Sequence, residues 1–209
     1  MVSMPEALLL FALHDDKGTV QASAFLALDH ALRGAVLCEL RARGYLQTKA
    51  SGHVRLHPHA PAPPPEAVLA AALAAVEGLE LPAEVDATLD AVQRALPELR
   101  DDLTRSLAER GILTESHVER MGLPGDVVHP MADSVLEARA RTRVREALAA
   151  GDAVQPRWGS LLALSVFAHL ESDLFPAHLD LAAERAAWVA ERDCIVRAVR
   201  SAVELVEGW

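Results

Sequence analysis

The chain has 209 residues, 51% of them hydrophobic and only 4% aromatic, which leaves room for one sizeable core and favours helix over sheet. Its formal charge of −10 excludes a protein that wraps nucleic acid by displacing counterions with a broad basic surface. Positive charge is nearly all guanidinium, since Lys17 and Lys49 are the only lysines, and guanidinium suits bidentate contact with carboxylate or phosphate.

Ser3-Met4-Pro5-Glu6 reads as a capping box with Pro in the first turn, starting a short helix that carries Leu8, Leu9, Leu10 and Phe11 inward. Asp15-Asp16-Lys17-Gly18 supplies turn chemistry, and Thr19-Val20 suggests a brief strand. Helical spacing of Phe25, Leu28, Leu32, Val36, Leu37 and Leu40 predicts a long helix over 24–41. Gly44 then offers a left-handed cap, and alternation through Leu46, Thr48, Val54 and Leu56 around Ser51-Gly52 predicts a β-hairpin.

The Pro- and Ala-rich stretch 57–65 is a surface connection and the expected flexible segment. Helices are expected over 65–77 and 82–96, with Pro97 near the first turn of another over 99–110. Gly111 stops that one, and 112–128 forms a second hairpin-like stretch turning at Leu123-Pro124-Gly125-Asp126. Asp133 is placed to cap a helix running to residue 149, Gly151 to end it and Pro156 to open the apolar run that reaches Leu170. Phe175-Pro176 opens a further helix, and Asp193 caps the last, which contains Ile195, Val199, Val203 and Val206. The run 161–170 leaves almost no polar face, which predicts a mostly α fold: a helical bundle around that central apolar helix, with small β-hairpins, in one domain over 1–209.

Residues 1–13 lack the basic start of a signal peptide, and 161–170 is about half of what spans a bilayer. Isolated Cys38 and Cys194 read as reduced core thiols, so a cytoplasmic protein is expected. No nucleophile elbow, glycine-rich phosphate loop or zinc-binding helix occurs, so no catalytic residue, cofactor or metal site is expected. His53, His57 and His59 are separated by prolines and lack a fixed ligand geometry, and His169 on the apolar run reads as a hydrogen-bonded core histidine. Trp158 beside Arg157, and Trp209, are either interfacial anchors or ordinary packing and a frayed end.

Several segments, in order, carry a family resemblance: Glu6-Ala7-Leu8-Leu9-Leu10 before the Asp-Asp-Lys-Gly turn; Leu32-Arg33-Gly34 followed by Glu39-Leu40 and Arg43-Gly44; Glu109-Arg110-Gly111-Ile112-Leu113; His129-Pro130-Met131; and Leu161-Leu162-Ala163-Leu164 running into Ala168-His169. Together they resemble the Golgi phosphoprotein 3 family over nearly the full chain. The resemblance implies a helical, non-catalytic adaptor, peripheral on the cytoplasmic face of a membrane. Its expected partners are an anionic phospholipid headgroup such as phosphatidylinositol 4-phosphate and the cytoplasmic tails of membrane enzymes; a homo-oligomer is also open.

Carried over by position, Arg33 and Arg100 match two headgroup arginines of that family. Ala24 and Pro97 stand where an aromatic ring and a third arginine belong. The membrane-dipping hairpin corresponds to 116–128, which carries Glu119, Arg120 and Asp126 and few large apolar groups. From the residues themselves, Arg33 is as readily a helix-surface arginine paired with Asp29 at i−4, and Arg100 has Asp101 and Asp102 beside it. Two rival functions stay open: a protein-interaction module that keeps the fold without lipid binding, and a winged-helix-like nucleic-acid binder suggested by the two helix-then-hairpin units, against which the charge weighs.

Overall fold

The computed structural model describes residues 2–14, 18–49, 51–120, 123–132 and 134–208, excluding the side chains of 117–127 and 152. The expected turn at Asp15-Asp16-Lys17, the Asp133 cap and the Trp209 anchor fall outside those residues. The fold is mostly helical, as the composition predicts.

Helix α1 (Met4–Ala12) begins where the Ser3 N–H donates to the Glu6 carboxylate at 2.7 Å, and Pro5 occupies the first turn. All nine of its residues are buried, so it is a core element with no solvated face. Helix α2 (Leu28–Ala42) packs against it and leads into strands β1 (Leu46–Thr48) and β2 (His53–Leu56). Leu46 pairs with Leu56 and Thr48 with Val54, the register that the alternation requires, with Gly52 turning at φ +81°. The connection after β2 leads to helix α3 (Ala67–Glu77).

A third strand, β3 (Ala83–Glu84), joins β2 antiparallel before helix α4 (Val85–Ala95) and helix α5 (Leu99–Glu109). The helix expected over 82–96 therefore starts later, because its first residues pair with His53 and Val54. Strands β4 (Ser116–Arg120) and β5 (Leu123–Val128) form the second hairpin, with an irregularity between His117 and Glu119. Helices α6 (Ser134–Ala149), α7 (Pro156–Phe167), α8 (Glu171–Leu174), α9 (Leu179–Arg192) and α10 (Cys194–Glu207) complete the bundle. Asp193 caps α10 as predicted, its Oδ1 accepting from the Ile195 and Val196 N–H groups, and it also binds the Arg41 guanidinium. Burial alone would raise the Asp193 carboxyl, but Arg41 holds it below the usual carboxylate range.

The apolar run breaks earlier than its hydrophobicity suggests. Helix α7 ends at Phe167, and His169 takes a left-handed φ of +56°. Its Nε2 meets the Glu207 carboxylate at the surface, so His169 is an exposed tie to the end of α10 and not a core histidine. The centre of the bundle is shared: α7 packs on α1, α2, α6, α9 and α10, while α1 lies buried among α2, α5, α6 and α7. Among the described residues, no helix is long and apolar enough to cross a membrane.

Candidate functional site

Both predicted arginines open onto one concavity. Its volume is about 380 Å³, and it is lined by Phe25, Leu26, Asp29 and Arg33 at the start of α2 and by residues 96–101 around the α4–α5 junction. Arg33 lies in the second turn of α2, one residue before Gly34, where a Cβ would come within 2.4 Å of the Val199 side chain on α10. That close crossing of α2 and α10 fixes the helix face from which Arg33 projects.

Asp29 does not pair with Arg33. It accepts two N–H groups of Arg100, from Nη2 at 2.8 Å and Nε at 3.2 Å, across 71 positions of sequence. Arg33 forms no ion pair among the described residues; its polar neighbour is His30, at 3.5 Å from Nη1. Partial burial lowers the Arg33 pKa, against the opposing pull of Asp29 and Asp90, although a guanidinium remains charged. His30 is likewise lowered, first by burial and then by the Arg33 charge, so it is largely neutral at pH 7.

The aromatic ring expected at position 24 stands at 25. Ala24 is fully buried, while Phe25 is 59% exposed and lies 5.4 Å from the Arg100 guanidinium carbon. The even spacing of apolar residues predicted a helix over 24–41 with Phe25 facing the core. Instead α2 starts at Leu28, and a 3₁₀ turn over Ala22–Ala24 leads into a bend that turns Phe25 and Leu26 outward. Pro97 lies on the concavity's lip, where the matching position would need another guanidinium.

The charge around this concavity is mixed. Two guanidiniums, Arg33 and Arg100, face three carboxylates, Asp29, Glu98 and Asp101. Beyond Arg100 and Asp101 the surface opens into a second depression of about 940 Å³ that runs along α5 to Glu115 and His129, at the root of the β4–β5 hairpin. The His129 Nδ1 is buried there without a hydrogen-bond partner among the described residues.

A family model described as Golgi phosphoprotein 3 (GPP34) matches residues 4–206. The chain belongs to that family. No curated protein matches it significantly.

Most of the Golgi phosphoprotein 3 motifs hold the bundle together. Buried Glu6 accepts from Arg110 at 2.8 Å as well as from the Ser3 N–H. Glu39, also buried, accepts from the Met4 N–H at 3.0 Å, from Arg43 at 2.7 Å and from Arg157 at 3.0 Å, tying α1, α2 and α7 together. Gly18 has φ +59°, and a Cβ there would sit 2.0 Å from the His129 carbonyl carbon, so the end of the Asp-Asp-Lys-Gly motif docks directly on His-Pro-Met. Only a residue without a Cβ fits that approach. Among the described residues, Arg33 is the arginine of these motifs that has no ionic partner, whereas Arg43 and Arg110 are held by Glu39 and Glu6.

Proposed function

We propose that the chain is a non-catalytic, peripheral membrane adaptor whose Arg33–Arg100 concavity receives the phosphate of an anionic phospholipid headgroup. The observation that carries this reading is the Arg33 guanidinium. It projects into a headgroup-sized concavity, forms no ion pair among the described residues, and shares the space with Arg100 and the exposed ring of Phe25. A phosphate entering there would gain charge-assisted hydrogen bonds from Arg33 and compete with Asp29 for Arg100. Phe25 and Leu26, each 59% exposed, stand at the mouth, where apolar side chains suit the water–lipid boundary. The family membership supports the adaptor role.

Co-sedimentation with vesicles containing phosphatidylinositol 4-phosphate, at low salt, tests the reading. Binding that Arg33→Ala weakens by about tenfold is expected, the worth of a charged hydrogen bond. Absence of binding to every anionic vesicle, with Arg33→Ala silent, ends it.

The second reading, a protein-interaction module with the same fold, draws on the three carboxylates in the lining and on the long depression that continues from Arg100 to His129. A groove of that length with Asp101, Glu109 and Glu115 along it offers carboxylates to a basic extended tail. The same sedimentation series separates the two, because a tail-binding module would leave the vesicles behind.

A further inference from the structure

A different surface of the molecule has the composition of a ligand site. Between one face of α6, the start of α7 and the start of α1 lies a groove of about 780 Å³. Its floor is apolar: Val2, Met4, Ala7 and Leu161 are core residues whose outer surfaces it reaches. Val135, 54% exposed, and the half-buried Trp158 form its walls. A volume of that size is in the range of small-molecule sites.

The rim is basic. Arg139 and Arg143 stand one turn apart on α6, and Arg157 rises from the first turn of α7 with its guanidinium 4.9 Å from the Trp158 ring. Against three guanidiniums the described lining offers one carboxylate, Glu146, already bound to Arg143 at 2.9 Å. Arg157 is held by Glu39, and Arg139 forms no ion pair among the described residues. In a chain of net charge −10, this is a local positive excess placed at the edge of an apolar trough. A cationic or neutral ligand would leave that excess unanswered, whereas a tail with an anionic end satisfies trough and rim together.

We propose that this groove binds a single-chain amphiphile with an anionic head, of the fatty-acid class, its hydrocarbon lying over Val135, Trp158 and Leu161 and its carboxylate on Arg139. The site is separate from the Arg33–Arg100 concavity and independent of what that concavity binds.

Calorimetric titration of the full chain with dodecanoate below its micellar concentration tests it, with dodecyltrimethylammonium as a probe of equal tail and opposite charge. Dodecanoate should bind at least about tenfold more tightly than the ammonium probe, and Arg139→Ala should weaken it by about tenfold. Ala138→Trp, an exposed position on the groove wall, should abolish binding with the fold intact by circular dichroism, and Arg33→Ala should change nothing. Equal affinity for the two probes, or dodecanoate binding that survives both groove variants, would overturn the assignment. So would a chain that binds no dodecanoate and self-associates through Arg139 in sedimentation velocity, since the groove would then belong to a second copy.

Discussion

Two of this molecule's concavities, the Arg33–Arg100 site and the groove against α6, have opposite constructions. At the start of α2, the Arg33–Arg100 site sits on sequence motifs shared with the Golgi phosphoprotein 3 family, yet carboxylates outnumber guanidiniums in its lining. Between α1, α6 and α7, the groove's described lining has three guanidiniums to one carboxylate over an apolar floor, and the motif residues it includes serve the core. A motif therefore marks where a charged side chain will stand, while the local field depends on residues brought in from elsewhere. Asp29 is the clearest case: on sequence spacing it belongs to Arg33, and in the fold it belongs to Arg100.

Removing Glu39 gives the largest expected effect on that contrast. It is buried, and it binds the start of α1, Arg43 and Arg157, so Glu39→Ala takes the shared acceptor from the Met4 N–H and from two partly buried guanidiniums, of which Arg43 keeps Glu66 and Arg157 keeps the Val2 carbonyl. Urea unfolding should show a loss of roughly 3 kcal/mol. Because Arg157 also forms part of the groove's rim, any folded Glu39→Ala protein should bind dodecanoate more tightly, the carboxylate competing for that guanidinium being gone, while its headgroup binding is kept.

Charge reversal at Arg33 comes next. Arg33→Glu should lower the affinity for vesicles containing phosphatidylinositol 4-phosphate by more than about tenfold and leave dodecanoate titrations unchanged. Equal losses at both sites would mean that the two surfaces are coupled and that the contrast is false.

Asp29→Asn works in the opposite direction. It removes one of the three carboxylates and frees Arg100, so headgroup affinity should rise by roughly threefold, in keeping with a partly exposed ion pair. Vesicle titration at fixed ionic strength measures it. A fall in affinity would show that Asp29 positions Arg100 instead of competing for it.

The smallest effect is in pH. His30 is held below its ordinary pKa first by burial and then by Arg33, and an anion on Arg33 would raise it again. Protonated His30 then favours the bound state, so as the phosphate loses charge near its second pKa of about 6 the affinity should fall less in the native chain than in His30→Gln. The groove's described lining contains no histidine, so dodecanoate binding should stay flat above the titration range of the fatty acid itself. Parallel titrations at pH 7.5 and 6 distinguish the two sites.

Much of the architecture was legible because each signal acted locally. The Ser3-Pro5-Glu6 start of α1, the Gly52 hairpin and the Asp193 cap all depend on residues within a few positions of one another. The strand β3 was not, because two residues become a strand only when β2 lies beside them. Helical periodicity overreached at both ends of the apolar segments. It counted Phe25 into α2 and ran α7 on to Leu170, where His169 in fact turns the chain.

At the candidate site, the motif order singled out Arg33 and Arg100, and the structure brings both to one concavity. Phe25 was missed because an apolar residue at helical spacing looks like core, and the one available signal was the lack of a capping residue ahead of Leu28. The groove against α6 was invisible for a different reason. Its wall, floor and rim bring α1 together with α6 and α7, more than a hundred residues further along the chain, and none of them carries a binding motif.

The central claim is that Arg33 waits for a phosphate. A titration of the full chain with soluble inositol 1,4-bisphosphate, followed by NMR at the His30 ring, addresses it directly. A saturable shift of His30 towards its protonated form, lost in Arg33→Ala and strengthened in Asp29→Asn, is the predicted result. A His30 resonance that does not move in any of the three proteins would contradict it.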